Sequence, residues 1–242
     1  MADRREFLRL MAGGAAAATV ACGTPDRWTA AAIRKPVRSS VAILAAPDYD
    51  EARLVDVVRA GLGMFDLRVR GLRVVLKPNL VEFDPRGAIN THPNLIAATV
   101  EAFRLEGALE VVIAEGPGHR RDNEYLIEAS GLGAQLRDTG ARFVDLNHDA
   151  VRRVELKTSF TELGHLYLPE TVLDAGLFVS MPKLKTHHWA GVTLSMKNLF
   201  GIVPGAIYGW PKNVLHWAGL EGSILDINAV LDVPRFNILD GI

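Results

Sequence analysis

The stretch that decides the fold is LFVSMPKLKTHH, residues Leu177–His188, in which an apolar run ends in a proline followed by cationic side chains. A short, continuous apolar run is typical of a strand that is buried on both faces of a parallel sheet. Because side chains alternate along an extended segment, Lys183, Lys185 and His187 are expected on one side of it. The stretch therefore predicts a buried strand with a cationic edge, which is suited to binding a carboxylate or a phosphate.

The same arrangement of an apolar run and a turn with a charged residue occurs twice more. Lys77–Asn79 follows the apolar run Val74–Leu76, and Glu115–Gly118 follows Val111–Ala114. Helical patterns separate these runs, which predicts an α/β fold with a mostly parallel sheet and helices on both faces, a Rossmann-like three-layer arrangement. Ligands bind outside the carboxyl ends of such strands. The three turns are therefore expected to meet on one rim.

Other segments complete the predicted single α/β domain over residues 41–242. Two helices are expected to begin at Asp50 and at Pro93, and a third to cover residues 122–130. The remaining predictions are a first strand over Val41–Ala46, a fourth over 142–146, half-exposed strands over 151–156 and 165–169 that suit a hairpin, a short helix over 192–201, a longer helix over 215–231, and a last strand over 235–242.

Residues 1–22 have the layout of an export signal, with a charged start, a weakly apolar middle and a small-residue end. Arg4 and Arg5, followed by Phe7 and Leu8, resemble the twin-arginine signal. The alternative is a basic tail followed by a short helix. The expected location is periplasmic, or membrane-anchored if Cys22 is lipidated, and both lipidation and simple cleavage stay open. Residues 23–40 are expected to form a linker.

The overall composition excludes several classes of protein. The 242 residues carry a net charge of -1 and are 49% hydrophobic, as expected for a globular protein with an ample core. No basic excess is present to neutralise the phosphates of a nucleic acid. Cys22 is the only cysteine, so the chain holds neither an intramolecular disulfide nor a cluster ligated by its own cysteines.

Several polar side chains near the predicted strand ends are candidates for an anion site. Lys197 and Asn198 lie in an otherwise apolar segment, with Thr193 expected on the same helical face as Lys197. A purely structural alternative is that Lys197 stabilises a helix carboxyl end. Pro78 holds Lys77 and Asn79 in a rigid turn.

Other candidates are an acid and a histidine. Glu115 is a candidate acid, base or metal ligand, and His92 either binds the ligand or caps a helix.

His187 and His188 are adjacent and are expected to point to opposite sides, which disfavours a shared metal. The sequence contains neither an H-E-x-x-H pair nor a complete phosphate loop, so we assign no metal ligands, although a bound metal ion stays open.

The residues that carry these features resemble a known family. The segments VVLKPNLV, THPNLI, AEGPG, MPKLKTHHWAGVTLSMKNLFG, LHWAGL, SILDINAVL and NILDGI are similar to the domain-of-unknown-function 362 family from about Leu72 onward. The resemblance implies an exported α/β domain that is sometimes joined to a ferredoxin-like iron–sulfur module. It places the family's polar positions on Lys77, Asn79, His92, Lys183, Lys185, His187, Lys197, Asn198 and Asp240.

Two departures from that family affect the expectations. The family has a serine in the turn that reads Glu115-Gly116-Pro117-Gly118 here, so a serine contact is lacking. The stretch that follows the last Asp-Gly in the family is missing after Asp240 and Gly241, so the chain is expected to continue beyond Ile242.

The leading hypothesis is an exported enzyme that acts on a small anionic substrate. His187, Lys183, Glu115 and Asp240 are the predicted catalytic residues, with a lysine crowded by other cations as an alternative base. The predicted substrate-binding residues are Lys77, Asn79, His92, Lys185, Lys197 and Asn198. The alternatives are a non-catalytic periplasmic anion-binding protein and a redox protein that works with a ferredoxin-like partner. The twin-arginine translocase, which would export the protein, is the other expected partner.

Overall fold

The computed structural model describes residues 39–118 and 122–242. Of these, Val41–Ile242 form one compact unit. The predicted export signal, Cys22 and nearly all of the predicted linker lie outside the described residues, as do His119, Arg120 and Arg121.

The described residues form nine strands and nine α-helices. The strands are β1 (Arg73–Pro78), β2 (Glu110–Glu115), β3 (Arg142–Asp145), β4 (Val151–Glu155), β5 (His165–Pro169), β6 (Leu177–Met181), β7 (Lys185–His187), β8 (Gly191–Thr193) and β9 (Arg235–Asn237). The helices are α1 (Glu51–Leu62), α2 (Pro93–Leu105), α3 (Asn123–Ala129), α4 (Leu132–Thr139), α5 (Glu170–Leu173), α6 (Ser195–Asn198), α7 (Gly205–Tyr208), α8 (Asn213–Trp217) and α9 (Leu220–Val230). A 3-10 turn over Leu199–Ile202 follows α6 directly.

Five parallel strands form the central sheet, in the order β3-β2-β1-β6-β9. The chain builds outward from β1 through β2 to β3, and then returns to place β6 on the other side of β1. The strand order therefore reverses between β1 and β6, and in open α/β sheets the crevice at such a reversal is the usual place for a ligand. A lysine lies at each of these strand ends, Lys77 within the last two residues of β1 and Lys183 just after β6.

The sheet is buried on both faces, because successive side chains of each strand enter different cores. In β6, Leu177 and Val179 pack with α1 and α2, whereas Phe178 packs with β5, α8 and α9 on the opposite face. In β1, Leu76 and Val75 divide in the same way. This confirms the predicted α/β class with helices on both faces of a parallel sheet.

Local signals fixed several element boundaries as predicted. Asp50 caps α1 by accepting a hydrogen bond from the backbone N–H of Arg53. Pro93 occupies the first turn of α2, where its missing N–H costs nothing. β4 and β5 pair as an antiparallel hairpin.

Other boundaries were wrong. Val41–Ala46 forms no strand, and its apolar side chains are largely exposed, with Ile43 95% accessible. The helix predicted over 215–231 is two helices, because Gly219 between α8 and α9 has φ +105°, which only glycine adopts without strain. Thr193 belongs to β8 and not to the helix that carries Lys197.

Among the described residues, no helix combines the length and the apolar character that a membrane crossing requires.

Replacing Phe178 tests the two-sided burial of the sheet. Phe178 is fully buried at the centre of β6, so Phe178→Ala is expected to lower the free energy of unfolding by about 4 kcal/mol through lost burial and a residual cavity. Phe178→Leu, the control, should cost less than half as much. Urea unfolding followed by circular dichroism measures both, and equal effects of the two variants would contradict the packing described here.

Candidate functional site

A buried ion pair lies at the carboxyl ends of β1 and β2. The Lys77 Nζ is 2.6 Å from the Glu115 Oε2, and both side chains are only 1% exposed. The backbone N–H groups of Leu80 and Gly116 also donate to this carboxylate, at 3.1 and 2.8 Å. Burial lowers the pKa of Lys77, although Glu115 opposes the shift. Removing either partner would leave the other charge buried and unpaired.

Asn198 at the end of α6 connects the helix to this pair and to β6. Its side-chain oxygen accepts a hydrogen bond from Lys77 Nζ at 3.1 Å, and its nitrogen donates to the backbone oxygen of Lys77 and to Ser180 Oγ. Asn198 is therefore present for its hydrogen bonds and not for its helix propensity. These bonds hold α6 over the point where the strand order reverses.

Gly201 and Lys212 complete the surroundings of the ion pair. A Cβ on Gly201 would collide with Glu115 Oε1 and would lie 2.6 Å from Lys77 Nζ, and the buried ion pair holds both atoms in place. The Lys212 Nζ, also buried, donates to the backbone oxygens of Gly116, Phe200 and Gly201. Burial lowers the pKa of Lys212 to about 7.

The antiparallel hairpin β7–β8 presents a polar face and an apolar face. Lys185 pairs with Thr193 across the hairpin, and both are shielded from solvent, whereas Leu184 and Val192 are exposed. The predicted alternation of side chains along this edge is therefore observed. The Oγ1 of Thr193 is buried, and no described residue hydrogen-bonds to it.

Lys185 and Lys197 lie close enough to each other to repel. Burial lowers the pKa of Lys185 to about 8, and repulsion by Lys197 adds to the shift, while Glu115 and Glu82 oppose it. Burial also lowers the pKa of Lys197 to about 8, with a further contribution from Lys77. The Lys185 ammonium donates to the backbone oxygen of Ile89.

Lys197 has no hydrogen-bond acceptor among the described residues. Its ammonium lies over the ring of Phe200, 4.7 Å from the ring centre. Lys197 is therefore a half-buried cation without an ion-pair partner in the described part of the chain.

His187 is held as a hydrogen-bond donor. Its Nδ1 accepts from the backbone N–H groups of Trp189 and Ala190, at 3.1 and 3.2 Å, which leaves the proton of the neutral ring on Nε2. Burial, followed by repulsion from Lys197, lowers the pKa of His187 to about 4. The ring is therefore neutral near pH 7.

The prediction that His187 and His188 point in opposite directions was wrong. Their rings stack with centroids 4.9 Å apart and an interplanar angle of 7°. The reason is that β7 ends at His187, so the alternation of an extended chain stops there. Among the described residues, no group of three or more histidine, cysteine, aspartate or glutamate side chains is arranged to hold a metal ion.

Lys183 and Asp240 form a second, separate ion pair. The Lys183 Nζ is 3.0 Å from the Asp240 Oδ1, and the side chains are 5% and 0% exposed. The Tyr49 hydroxyl bonds to both, and the backbone N–H of His92 donates to the other oxygen of Asp240. The His92 ring stacks on Tyr49 with centroids 3.7 Å apart. Burial lowers the pKa of His92.

The predicted site residues thus fall into two groups. The structure brings together Lys77, Glu115, Lys185, His187, Lys197 and Asn198 around the end of β1 and the hairpin. Lys183, Asp240 and His92 are joined instead through Tyr49. The catalytic roles predicted for Lys183 and Asp240, and the substrate contact predicted for His92, stay predictions. His92 caps α2, since its Nδ1 accepts from the N–H of Asn94.

Asn79 lies in the turn after β1 and hydrogen-bonds through its backbone to Thr91. Its side-chain oxygen is buried without a hydrogen-bond partner in the part of the chain that the structure describes. The prediction that Asn79 binds substrate stays a prediction.

Sequence reasoning missed three contributors. Lys212 has φ +68°, a left-handed conformation that the sequence did not predict. Thr193 was named only as a neighbour of Lys197 on a predicted helix, and Tyr49 was given no role. Lys212 and Tyr49 act through residues far away in the sequence, which local patterns do not reveal.

The fold and this lysine-rich cluster define a three-layer α/β protein whose polar groups gather at the carboxyl ends of its parallel strands. The chain belongs to the family described as a domain of unknown function, DUF362, whose model matches residues 74–242. That match begins in β1 and includes every lysine of the cluster.

Two comparisons place the chain among known proteins. It is 29% identical over 216 residues to a thylakoid-associated protein of Synechocystis sp., a match that covers 84% of this chain and 63% of that protein. The fold is similar to that in a crystal structure of a Thermotoga maritima protein, with TM-score 0.51 and 16% identity, covering 78% of this chain and 50% of that one. The chain therefore spans less than two thirds of either relative.

Gly201 offers a direct test of the close packing around the Lys77–Glu115 pair. Gly201→Ala should lower the free energy of unfolding by roughly 3 kcal/mol, because its Cβ would collide with both members of the pair. Gly87→Ala is the control, since a Cβ there meets only Ile89 at an ordinary 3.7 Å. Chemical denaturation measures both variants, and a Gly201→Ala protein as stable as the parent would contradict the close approach.

Proposed function

We propose that this protein is an enzyme that binds a small carboxylate or phosphate between the polar face of the hairpin β7–β8 and α6. The supporting observation is an imbalance of charge. Lys77, Lys185 and Lys197 are coupled electrostatically around one buried carboxylate, that of Glu115. Glu115 already neutralises Lys77 by direct contact, and Glu82 offsets the charge of Lys185 less than Lys197 adds to it. An anion between Lys185 and Lys197 would relieve their repulsion.

Four groups would receive the anion. Lys185 and Lys197 supply charge, the Thr193 hydroxyl supplies a buried donor without a partner among the described residues, and His187 supplies its Nε2–H. Donors of these types, fixed by a hairpin and a helix, stabilise negative charge that is present in a substrate or develops in a transition state. The elements that carry these groups are held in place by the buried side chains Lys77, Asn198 and Lys212. Their hydrogen bonds fix the positions of β1, α6 and the turn after α6.

The proposed chemistry is proton transfer beside the anionic group. A lysine with a pKa of about 8 exists in both protonation states near neutral pH, which suits a general acid or base. Lys197 is our candidate because it has no hydrogen-bond acceptor among the described residues. His187, whose pKa is lowered to about 4, is better suited to donating a hydrogen bond than to carrying the proton.

The location of the whole protein is also a proposal. Export by the twin-arginine route, to the periplasm or to a lipid anchor at Cys22, depends on the sequence of residues 1–22. The description of the Synechocystis protein as thylakoid-associated is compatible with a protein that works near a membrane. An iron–sulfur partner is supported only by the resemblance in sequence to the family.

Replacing Lys197 tests the anion site. Lys197→Met removes the charge while keeping most of the side-chain volume, and should weaken the binding of phosphate or acetate at least about tenfold, as expected for a charge-assisted contact. Lys157→Met is the control, because Lys157 is exposed and pairs with Asp232 at the surface. Isothermal titration calorimetry gives the affinities, and equal affinities in the two variants would refute the site. Mass spectrometry of bound ligands then separates turnover from simple binding.

The pH dependence of binding follows from the two lowered lysine pKa values. Below pH 8 Lys185 and Lys197 are protonated and attract the anion, whereas above pH 8 they lose their protons and the attraction. A bound anion raises both pKa values, so binding takes up protons. The dissociation constant for phosphate should therefore increase at least about tenfold between pH 7.5 and pH 9.5. Calorimetry at constant ionic strength measures it, and an affinity independent of pH would count against both lysines.

A further inference from the structure

A row of rings leads from the lysine cluster to the tip of the hairpin. It consists of Phe200, His216, Trp189, His188 and His187. The centroids of Phe200 and His216 are 5.1 Å apart, and those of His216 and Trp189 are 5.2 Å apart. Trp189 continues to His188 at 4.6 Å, and His188 stacks on His187. The row begins at Lys197, whose ammonium lies over Phe200.

The row is exposed where it reaches the hairpin tip. Trp189 is 60% exposed although it contacts three imidazole rings, so a large part of the indole surface is open. The backbone N–H of Trp189 donates to the Nδ1 of His187, which fixes the turn relative to β7. The indole is thus attached to an ordered turn beside the cationic groups and contributes little to either core.

We propose that the ligand of this site carries a planar aromatic ring next to its anionic group. The anion meets Lys185 and Lys197, and the ring stacks against Trp189 and His188. This inference depends on the proposed function, because it names the class of anion that the same site selects. Aromatic rings gain from offset or edge-to-face contacts beyond the burial of their area, whereas saturated rings do not.

The neutral state of His187 favours such a ligand. A protonated imidazole would add a further positive charge beside Lys197, whereas a neutral ring extends the aromatic surface. Phe200 contributes at the other end, where it contacts both the Lys197 ammonium and the His216 ring. Phe200 itself is buried, so the rings open to a ligand are those at the hairpin tip, above all Trp189 and His188. Exposed rings beside cations complement an aromatic acid in shape and charge.

A pair of ligands with the same charge tests the proposal. Benzoate and cyclohexanecarboxylate are both monoanions with seven carbon atoms, and the saturated acid is the bulkier. Calorimetric titration of the parent protein should give an affinity for benzoate about fivefold higher, as expected from ring stacking. Trp189→Leu, which keeps an apolar side chain, should abolish this preference. Trp217→Leu should keep it, since Trp217 is an indole that is more open still, 80% exposed, and lies outside the row.

The outcomes separate this inference from the anion site itself. If both acids bind with equal affinity and Lys197→Met weakens both, the anion site stands and the aromatic preference is refuted. A preference that survives in Trp189→Leu would also overturn it. If neither acid binds, nor acetate or phosphate, the proposed function fails and this inference fails with it.

Discussion

The arrangement of the site depends on the buried ion pair between Lys77 and Glu115. Two charges in a dry interior are tolerated only when each is well hydrogen-bonded, and breaking such a pair costs about 3–5 kcal/mol. Here the carboxylate accepts from Lys77 and from two backbone N–H groups, while the ammonium also donates to Asn198 and to the oxygen of Pro78. The pair therefore ties β1, β2 and α6 together at the rim where ligands bind in such sheets.

The other buried and half-buried lysines fall into two kinds. Some are held by structural contacts, whereas two belong to the proposed anion site. Lys212 donates to three backbone oxygens and so acts as an internal brace for the turns after β2 and α6. Lys183 is neutralised by Asp240. Lys185 and Lys197 share no such carboxylate contact among the described residues, and each has a pKa lowered to about 8. The excess of charge is therefore concentrated where the hairpin faces α6.

The central strands and the polar rim could be predicted from the sequence because both follow from local periodicity. Apolar runs such as Leu177–Met181 are long enough to be read directly, and the proline turns after them mark the rim. Val41–Ala46 has the same apolar character but pairs with no strand of the sheet. Local periodicity does not predict this, because strand pairing depends on the whole fold. Lys212 was missed for the same reason, since its partner Gly116 lies 96 residues away. Thr193 was assigned to a helix because the short strand that contains it has no clear periodicity of its own.

The second ion pair explains why the alternation along the hairpin is so well defined. Lys183 leaves β6 with its side chain buried against Asp240, and the backbone N–H of Leu184 donates to the oxygen of Asp240 at 2.9 Å. Because the Lys183 side chain points inward and side chains alternate along an extended chain, Lys185 also points inward and Leu184 points outward. A register shift by one residue would bury Leu184 among cations and expose Lys183. The pair at the base of the hairpin thus determines which face of it meets α6.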